Sequence, residues 1–225
     1  MSVCTREALA ACLHQAQQER AERVILTIGR PLAAEINRER LMGLLDLMLP
    51  LCQGRGQVMR RERDGSWYLN LRLHYRAGLQ MARAWAAGER HTLSREEQEA
   101  LSRAEGMAQA ICAAQTSPEA RVQAILEALH CLAVYDNPPL GTVAHGRVVH
   151  ALSVLREGRA NCQGFSDAFY LMCTLCGLKA QYRLGFKERE MHLWNAVELR
   201  GQWLCVDATA GRMGEESELG LTRAE

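Results

Sequence analysis

The chain has 225 residues, with 27 basic and 26 acidic side chains and a formal charge of +1. The length allows one large domain or two small ones, and the interspersed charges give no electrostatic reason to expect binding to nucleic acid or an anionic membrane. No apolar run reaches the ~18–20 residues of a membrane span, and the start lacks the basic-then-apolar order of a signal peptide. We therefore expect a cytoplasmic protein if Met1 is the native start, and a secreted one if a signal peptide was removed.

The cysteines indicate a reducing compartment. There are nine, an odd number, with no spacing pattern of a disulfide framework. Cys173 and Cys176 form a C-x-x-C within a predicted helix, but there is no second pair and no neighbouring histidine. We expect neither a metal nor another cofactor.

Residues 1–90 are predicted to form a small N-terminal α+β accessory unit. The Asp64-Gly65 pair between two alternating segments is a strong hairpin signal, and Pro31 suits the first turn of a helix. The predicted elements, from periodicity, are a helix over 5–19, a strand over 24–28, a helix over 31–48, and strands over 57–63 and 67–75.

The boundary is predicted near residues 88–93, so that 91–225 form the second domain. Ser94 and Glu97 have the spacing of a capping box at the start of one helix. Ser117-Pro118 opens another, and each helix has an apolar stripe. The sharp stop at residues 136–139 precedes a candidate active-site loop over 138–146.

The last third of the chain contains Cys162, His192 and Asp207 in that order, each in a distinctive setting. A thiol, an imidazole and a carboxylate are the components of an activated sulfur nucleophile. Asn161 is a plausible N-cap that would place Cys162 in the first turn of a buried helix, where the helix dipole favours thiolate. Gly164, a poor helix former, indicates close approach of a substrate or a strand.

Strand register tests whether His192 and Asp207 can meet. Segments 192–199 and 202–207 both alternate, with Arg200-Gly201 between them as a short turn. If Leu199 pairs with Gln202, Trp194 lies opposite Asp207. His192 and Asp207 are then diagonal neighbours on one face, about 7–8 Å apart at the backbone, and a one-residue slip would separate them.

The motifs around these residues resemble those of the transglutaminase-like superfamily, in its bacterial branch. The resemblance rests on Ala-Asn-Cys162-Gln-Gly-Phe, His192-Leu-Trp-Asn and Val206-Asp207-Ala-Thr, and covers roughly residues 118–210. It implies an α+β, papain-like core in which a helix bearing the nucleophile packs on an antiparallel sheet. It also implies that Cys162 is the nucleophile, His192 the general base and acid, and Asp207 the group that orients the imidazole.

The sequence departs from the family pattern in two places. No tryptophan lies between Trp85 and Trp194 to assist an oxyanion, so the donors beyond the Cys162 backbone are open, with the Gln163 side chain as a candidate and Trp194 as core or cleft wall. Residues 211–225 are polar and contain glycine, which is more typical of a tail than of a strand. The sheet is then minimal, or a partner completes it.

These observations predict a cysteine enzyme that attacks an amide or ester carbonyl through a thioester. Water would make it a peptidase or amidase, which we favour because the chain is short and has no calcium-loop pattern. An amine would make it a cross-linking acyltransferase, and an idle cleft that binds peptides is a third reading. The expected partner is a peptide or protein substrate, without nucleic acid or membrane, and the oligomeric state stays open.

Overall fold

The computed structural model describes residues 2–223 and divides the chain into two compact units, one ending at Tyr75 and the other beginning at Arg76. This division precedes the predicted boundary at residue 90. The segment between the observed division and the predicted boundary forms helix α4 (Ala77–Ala87). Met81 and Ala82 of this helix share a hydrophobic core with Phe165 and Phe169. That helix therefore belongs to the second unit.

The first unit is a four-stranded sheet with three helices that share its hydrophobic core. The strands lie in the order β1 (Ser2–Val3), β2 (Arg23–Ile28), β4 (Trp67–Tyr75) and β3 (Cys52–Arg61), and the helices are α1 (Arg6–Gln18), α2 (Arg30–Glu35) and α3 (Arg38–Leu47).

Two predicted elements of this unit differ in the structure. The single helix expected over 31–48 is two helices, because Ile36 is extended and the Asn37 side chain accepts a hydrogen bond from the Arg40 N–H at 2.9 Å, which starts a new helix. Strand β3 begins at Cys52 rather than at residue 57, since its pairing with β4 continues past an irregularity between Cys52 and Gly54.

The helices of the second unit form its hydrophobic core with one face of its main sheet. The capping box at Ser94 and Glu97 and the start of a helix at Pro118 are confirmed. After α4 the helices are α5 (Arg95–Ala114), α6 (Pro118–Leu132), α7 (Val143–Gly146) and α8 (Cys162–Leu175), with a 3-10 turn at Arg90–Thr92 and a π-helical turn at Ser153–Glu157.

The main sheet of this unit is antiparallel. Its order is β10 (Arg212–Gly214), β9 (Gln202–Asp207), β8 (Glu190–Leu199), β7 (Ala180–Lys187) and β11 (Leu221–Arg223). Two further strands, β5 (Val134–Tyr135) and β6 (Arg159–Ala160), form a separate parallel pair. The architecture is the expected α+β arrangement of a helix, α8, on an antiparallel sheet.

The prediction of a tail over 211–225 is wrong for the described residues. Residues 212–214 pair with β9 at one edge of the sheet, and residues 221–223 pair with β7 at the other. Between them Leu219 packs with Trp194, Cys205 and Leu221. The chain itself therefore supplies both outer strands; residues 224–225 lie outside the described part. Among the residues described, no helix is long and apolar enough to cross a membrane.

Candidate active site

Cys162 is the first residue of α8, and the predicted N-cap is confirmed. The Asn161 side chain accepts from the N–H groups of Gln163 at 3.0 Å and Gly164 at 3.3 Å. This cap occupies two N–H groups of the first turn and leaves the Cys162 N–H, at the first helical position, directed away from the helix. The end of the helix can therefore stabilise negative charge on or near the thiol.

Gly164 is required by the fold of the chain itself. A Cβ atom there would lie 2.6 Å from the carbonyl oxygen of Val148 and 2.8 Å from the Cβ of Ala160. The close approach indicated by the sequence is therefore that of the segments preceding the helix. Any larger residue would push the start of α8 away from them.

The predicted register of β8 and β9 is confirmed, with Leu199 opposite Gln202. Arg200 and Gly201 both have positive φ, 52° and 80°, as a two-residue turn between twisted strands requires. His192 and Asp207 consequently share a face, and Nε2 of the imidazole lies 3.2 Å from Oδ1 of the carboxylate. The N–H is out of line with that oxygen, so this is an ion-pair contact rather than a well-aligned hydrogen bond.

The surroundings of Cys162 favour the thiolate. Burial raises the pKa of the thiol, but a side-chain contact with His192, the backbone of Leu193 and the charges of His192 and Arg76 together bring this pKa below its ordinary value of 9.0. Because Nε2 faces Asp207, Nδ1 is the ring nitrogen left for the sulfur. A thiolate paired with an imidazolium is the reactive form of a catalytic cysteine.

His192 is held in its charged form. Burial alone would lower the pKa of the imidazole, but contacts with Asp207 and Cys162 raise it from 6.5 to about 9. The ring is 8 % exposed and stacks on Trp194, with centroids 6.3 Å apart. Both Asp207 and Trp194 therefore restrict the orientation of the imidazole.

Asp207 is buried, and its carboxylate contacts only hydrogen-bond donors and cations. Burial raises the pKa of its carboxyl group, but contacts with His192, Lys187 and Thr209 outweigh burial and hold this pKa well below its usual range. Thr209 donates to Oδ1 through its backbone N–H at 3.1 Å and its hydroxyl at 2.6 Å. The Val-Asp-x-Thr element of the sequence thus holds the acid by a local turn.

The structure brings three residues to this site that sequence reasoning missed. Lys187 donates to Asp207; it escaped notice because no strand was assigned to residues 180–187. Arg76 is 3 % exposed, and its charge acts on Cys162. Tyr135 has a raised pKa through burial and the charges of Cys162, Glu190 and Asp207. Its only sequence signal was its place before the predicted loop.

The lesser predicted site residues have distinct places. Gln163 accepts a hydrogen bond from Arg76 through Oε1 at 3.3 Å. The amide nitrogen of Gln163, the group that could donate to an oxyanion, therefore points away from Arg76. Trp194 is fully buried with Cys205, so it supports His192 and does not form a cleft wall. The neighbouring Asn195, for which the sequence predicted no role in the site, is fully buried as well, and its amide has no hydrogen-bond partner within residues 2–223.

Comparisons with known proteins identify a family for part of this chain. Residues 105–208, which contain Cys162, His192 and Asp207, match the model of the transglutaminase-like superfamily. This segment belongs to the transglutaminase-like superfamily. The chain is also 36% identical over 70 residues to the Kyphoscoliosis peptidase of Homo sapiens and 34% identical to that of Mus musculus. Each of these alignments covers 26% of this chain and only 11% of the relative.

Two solved structures are similar to this chain at low identity. A crystal structure of a TGase has 14% identity and a TM-score of 0.44, covering 83% of this chain and 50% of its own. A putative cysteine protease from Cytophaga hutchinsonii has 14% identity and a TM-score of 0.45, covering 76% and 65%.

Proposed function

We propose that this protein is a cysteine-dependent acyl hydrolase that cleaves an amide bond of a peptide or protein. One observation carries the proposal: Cys162, His192 and Asp207 converge from three elements, with the pKa of the thiol lowered and that of the imidazole raised. Neighbouring groups with pKa values moved toward an ion pair are typical of a nucleophile and its acid–base partner.

The reaction has two halves. The Cys162 thiolate attacks the carbonyl carbon, and the Cys162 N–H at the start of α8 faces the developing oxyanion. His192 then donates its proton to the leaving amine, the carbon–nitrogen bond breaks, and a thioester remains on the sulfur. A water molecule gives its proton to His192 and attacks the thioester, which releases a carboxylic acid and restores the thiolate.

Three features favour water over an amine as the second nucleophile. The Asp167 carboxylate, close in sequence to Cys162, is fully buried and accepts from Gly78, Ala151 and Tyr182, so it offers nothing to an incoming lysine. The chain contains no acidic calcium-loop pattern. The relatives that match over 26% of the chain are named peptidases.

The test is a comparison of hydrolysis with amine incorporation. The protein is incubated with a panel of internally quenched peptides, and separately with casein and dansylcadaverine. We expect cleavage of at least one peptide, abolished in Cys162→Ser and retained in Cys131→Ser, a matched change of an exposed cysteine. Efficient dansyl incorporation would favour acyl transfer. Peptide binding without either reaction would indicate an idle cleft and overturn the proposal.

A further inference from the structure

The two oxygens of Asp207 have different partners. Oδ1 accepts from Thr209 and faces His192 at 3.2 Å, whereas Oδ2 accepts from the ammonium of Lys187 at 2.6 Å. The acid is 1 % exposed and the lysine side chain 30 % exposed. A buried carboxylate with one oxygen on the imidazole thus has its other oxygen fixed by a cation.

The fold places Lys187 there. It is the last residue of β7, paired with Glu190 on β8 and Leu221 on β11. Gly185, two residues earlier, lies opposite His192. Since alternate residues share a face, the Lys187 side chain lies on the face that carries His192 and Asp207. The chain has only two lysines, so this position does not reflect a general abundance of lysine.

We propose that Lys187 is a positioning residue: its ammonium holds Oδ2 of Asp207, so that Oδ1 stays directed at the His192 imidazole. This inference rests on the proposed function of Cys162. Without the ammonium, Oδ2 is a buried acceptor without a partner, and only the Thr209 and Ala210 donors on Oδ1 still hold the carboxylate beside the ring.

The ammonium also offsets part of the Asp207 charge that His192 experiences. Its removal should strengthen the hold on the imidazolium, because the carboxylate charge is then less compensated. The imidazolium becomes a weaker acid toward the leaving amine. The other charged or titratable groups acting here are Cys162 on α8, Tyr135 on β5, Glu190 on β8 and Arg76 before α4, and the substitution leaves them in place.

The experiment compares Lys187→Met with Lys187→Arg and with Lys179→Met. Lys179 is a matched control: the only other lysine, it pairs with Glu198 at 2.9 Å and is 78% exposed. Two readouts are taken against pH: the rate of Cys162 alkylation by iodoacetamide, followed by peptide mapping, and kcat/KM on a cleaved peptide. Melting temperature reports folding.

For Lys187→Met we expect the alkaline limb of the kcat/KM profile to move up by about 1 pH unit, with kcat/KM at neutral pH lowered about tenfold. Lys187→Arg should restore both, and Lys179→Met should change neither. In an Asp207→Asn background, Lys187→Met should add no further change, because the shared carboxylate is gone.

A lower melting temperature with an unchanged pH profile would show a purely structural lysine and overturn the inference. If Lys187→Met does not fold, Lys187→Gln, which keeps a donor but not the charge, should still move the alkaline limb upward; an unmoved limb refutes the role. Slow alkylation of Cys162 in the unaltered protein would refute the proposed function instead. If Cys162 is alkylated fast in the unaltered protein but Lys187→Met leaves the pH profile unchanged, only this inference is refuted.

Discussion

Replacing Asp207 by asparagine separates the charge of the orienting group from its shape. Every group around this side chain is a donor or a cation: Thr209, Ala210 and the His192 imidazolium at Oδ1, and Lys187 at Oδ2. An amide has a single acceptor oxygen, so its nitrogen must face a donor on one side. We expect the amide oxygen to stay with Thr209 and the partly exposed Lys187 to swing into solvent.

The magnitude follows from the imidazole. A pKa of about 9 against the usual 6.5 corresponds to about 3 kcal/mol in favour of the imidazolium. Asp207 supplies the largest raising contribution, so Asp207→Asn should lower the alkaline limb by about 1–2 pH units. The rate should fall by about 10²–10⁴-fold. Lys187→Met moves the same limb upward, and the opposite signs make the pair diagnostic.

The pH dependence of unfolding is a second measurement that tests Asp207→Asn. The raised pKa of His192 gives stability that is complete below pH 6.5 and lost as pH rises through about 9. The lowered pKa of Asp207 gives stability that is present above 3.8 and lost at lower pH. Urea midpoints should therefore fall between pH 6.5 and 10 in the unaltered protein and fall less in Asp207→Asn. If the kcat/KM profile of Asp207→Asn still has its alkaline limb near pH 9, the reasoning is refuted.

Three further outcomes are expected. Cys162 should react with iodoacetamide faster than the other eight cysteines at neutral pH, and peptide mapping that finds it among the slowest would exclude it as the nucleophile. Gly78→Ala should lower the free energy of unfolding measured in urea by about 1–3 kcal/mol, because its Cβ would lie 2.3 Å from the Asp167 carbonyl oxygen. Gly106→Ala has open space around the new methyl group, so its free energy of unfolding should be unchanged or raised by about 1 kcal/mol. Tyr182→Phe should cost about 1–3 kcal/mol, measured the same way, since it leaves the buried Asp167 oxygen without its donor at 2.7 Å.

The sequence was sufficient where local rules determine the structure. The Asn161 cap, the Ser94 capping box and the Arg200-Gly201 register depend on neighbours within a few residues, and all three are confirmed. The register in turn places Asp207 on the face of His192, so the core of the site could be predicted from the sequence alone.

The rest of the site depends on pairings between distant segments. Lys187 reaches Asp207 only because β7 lies beside β8, and Arg76 is separated by 87 positions from the Gln163 that it contacts. Residues 212–214 and 221–223 have too little apolar alternation to indicate strands; they become strands because open sheet edges offer them partners. Propensity and periodicity carry no information on such contacts.

The edge strands of the sheet in the second unit also affect whether the chain self-associates. Its two outermost strands, β10 and β11, have three residues each, and both come from the segment 212–223. Short edge strands present few unpaired backbone groups to another molecule. A chain interrupted before residue 212 would instead expose the long edges of β7 and β9 and leave Trp194 uncovered. We therefore expect such truncated chains to aggregate, so that the segment 212–223 protects newly made protein as well as completing its fold.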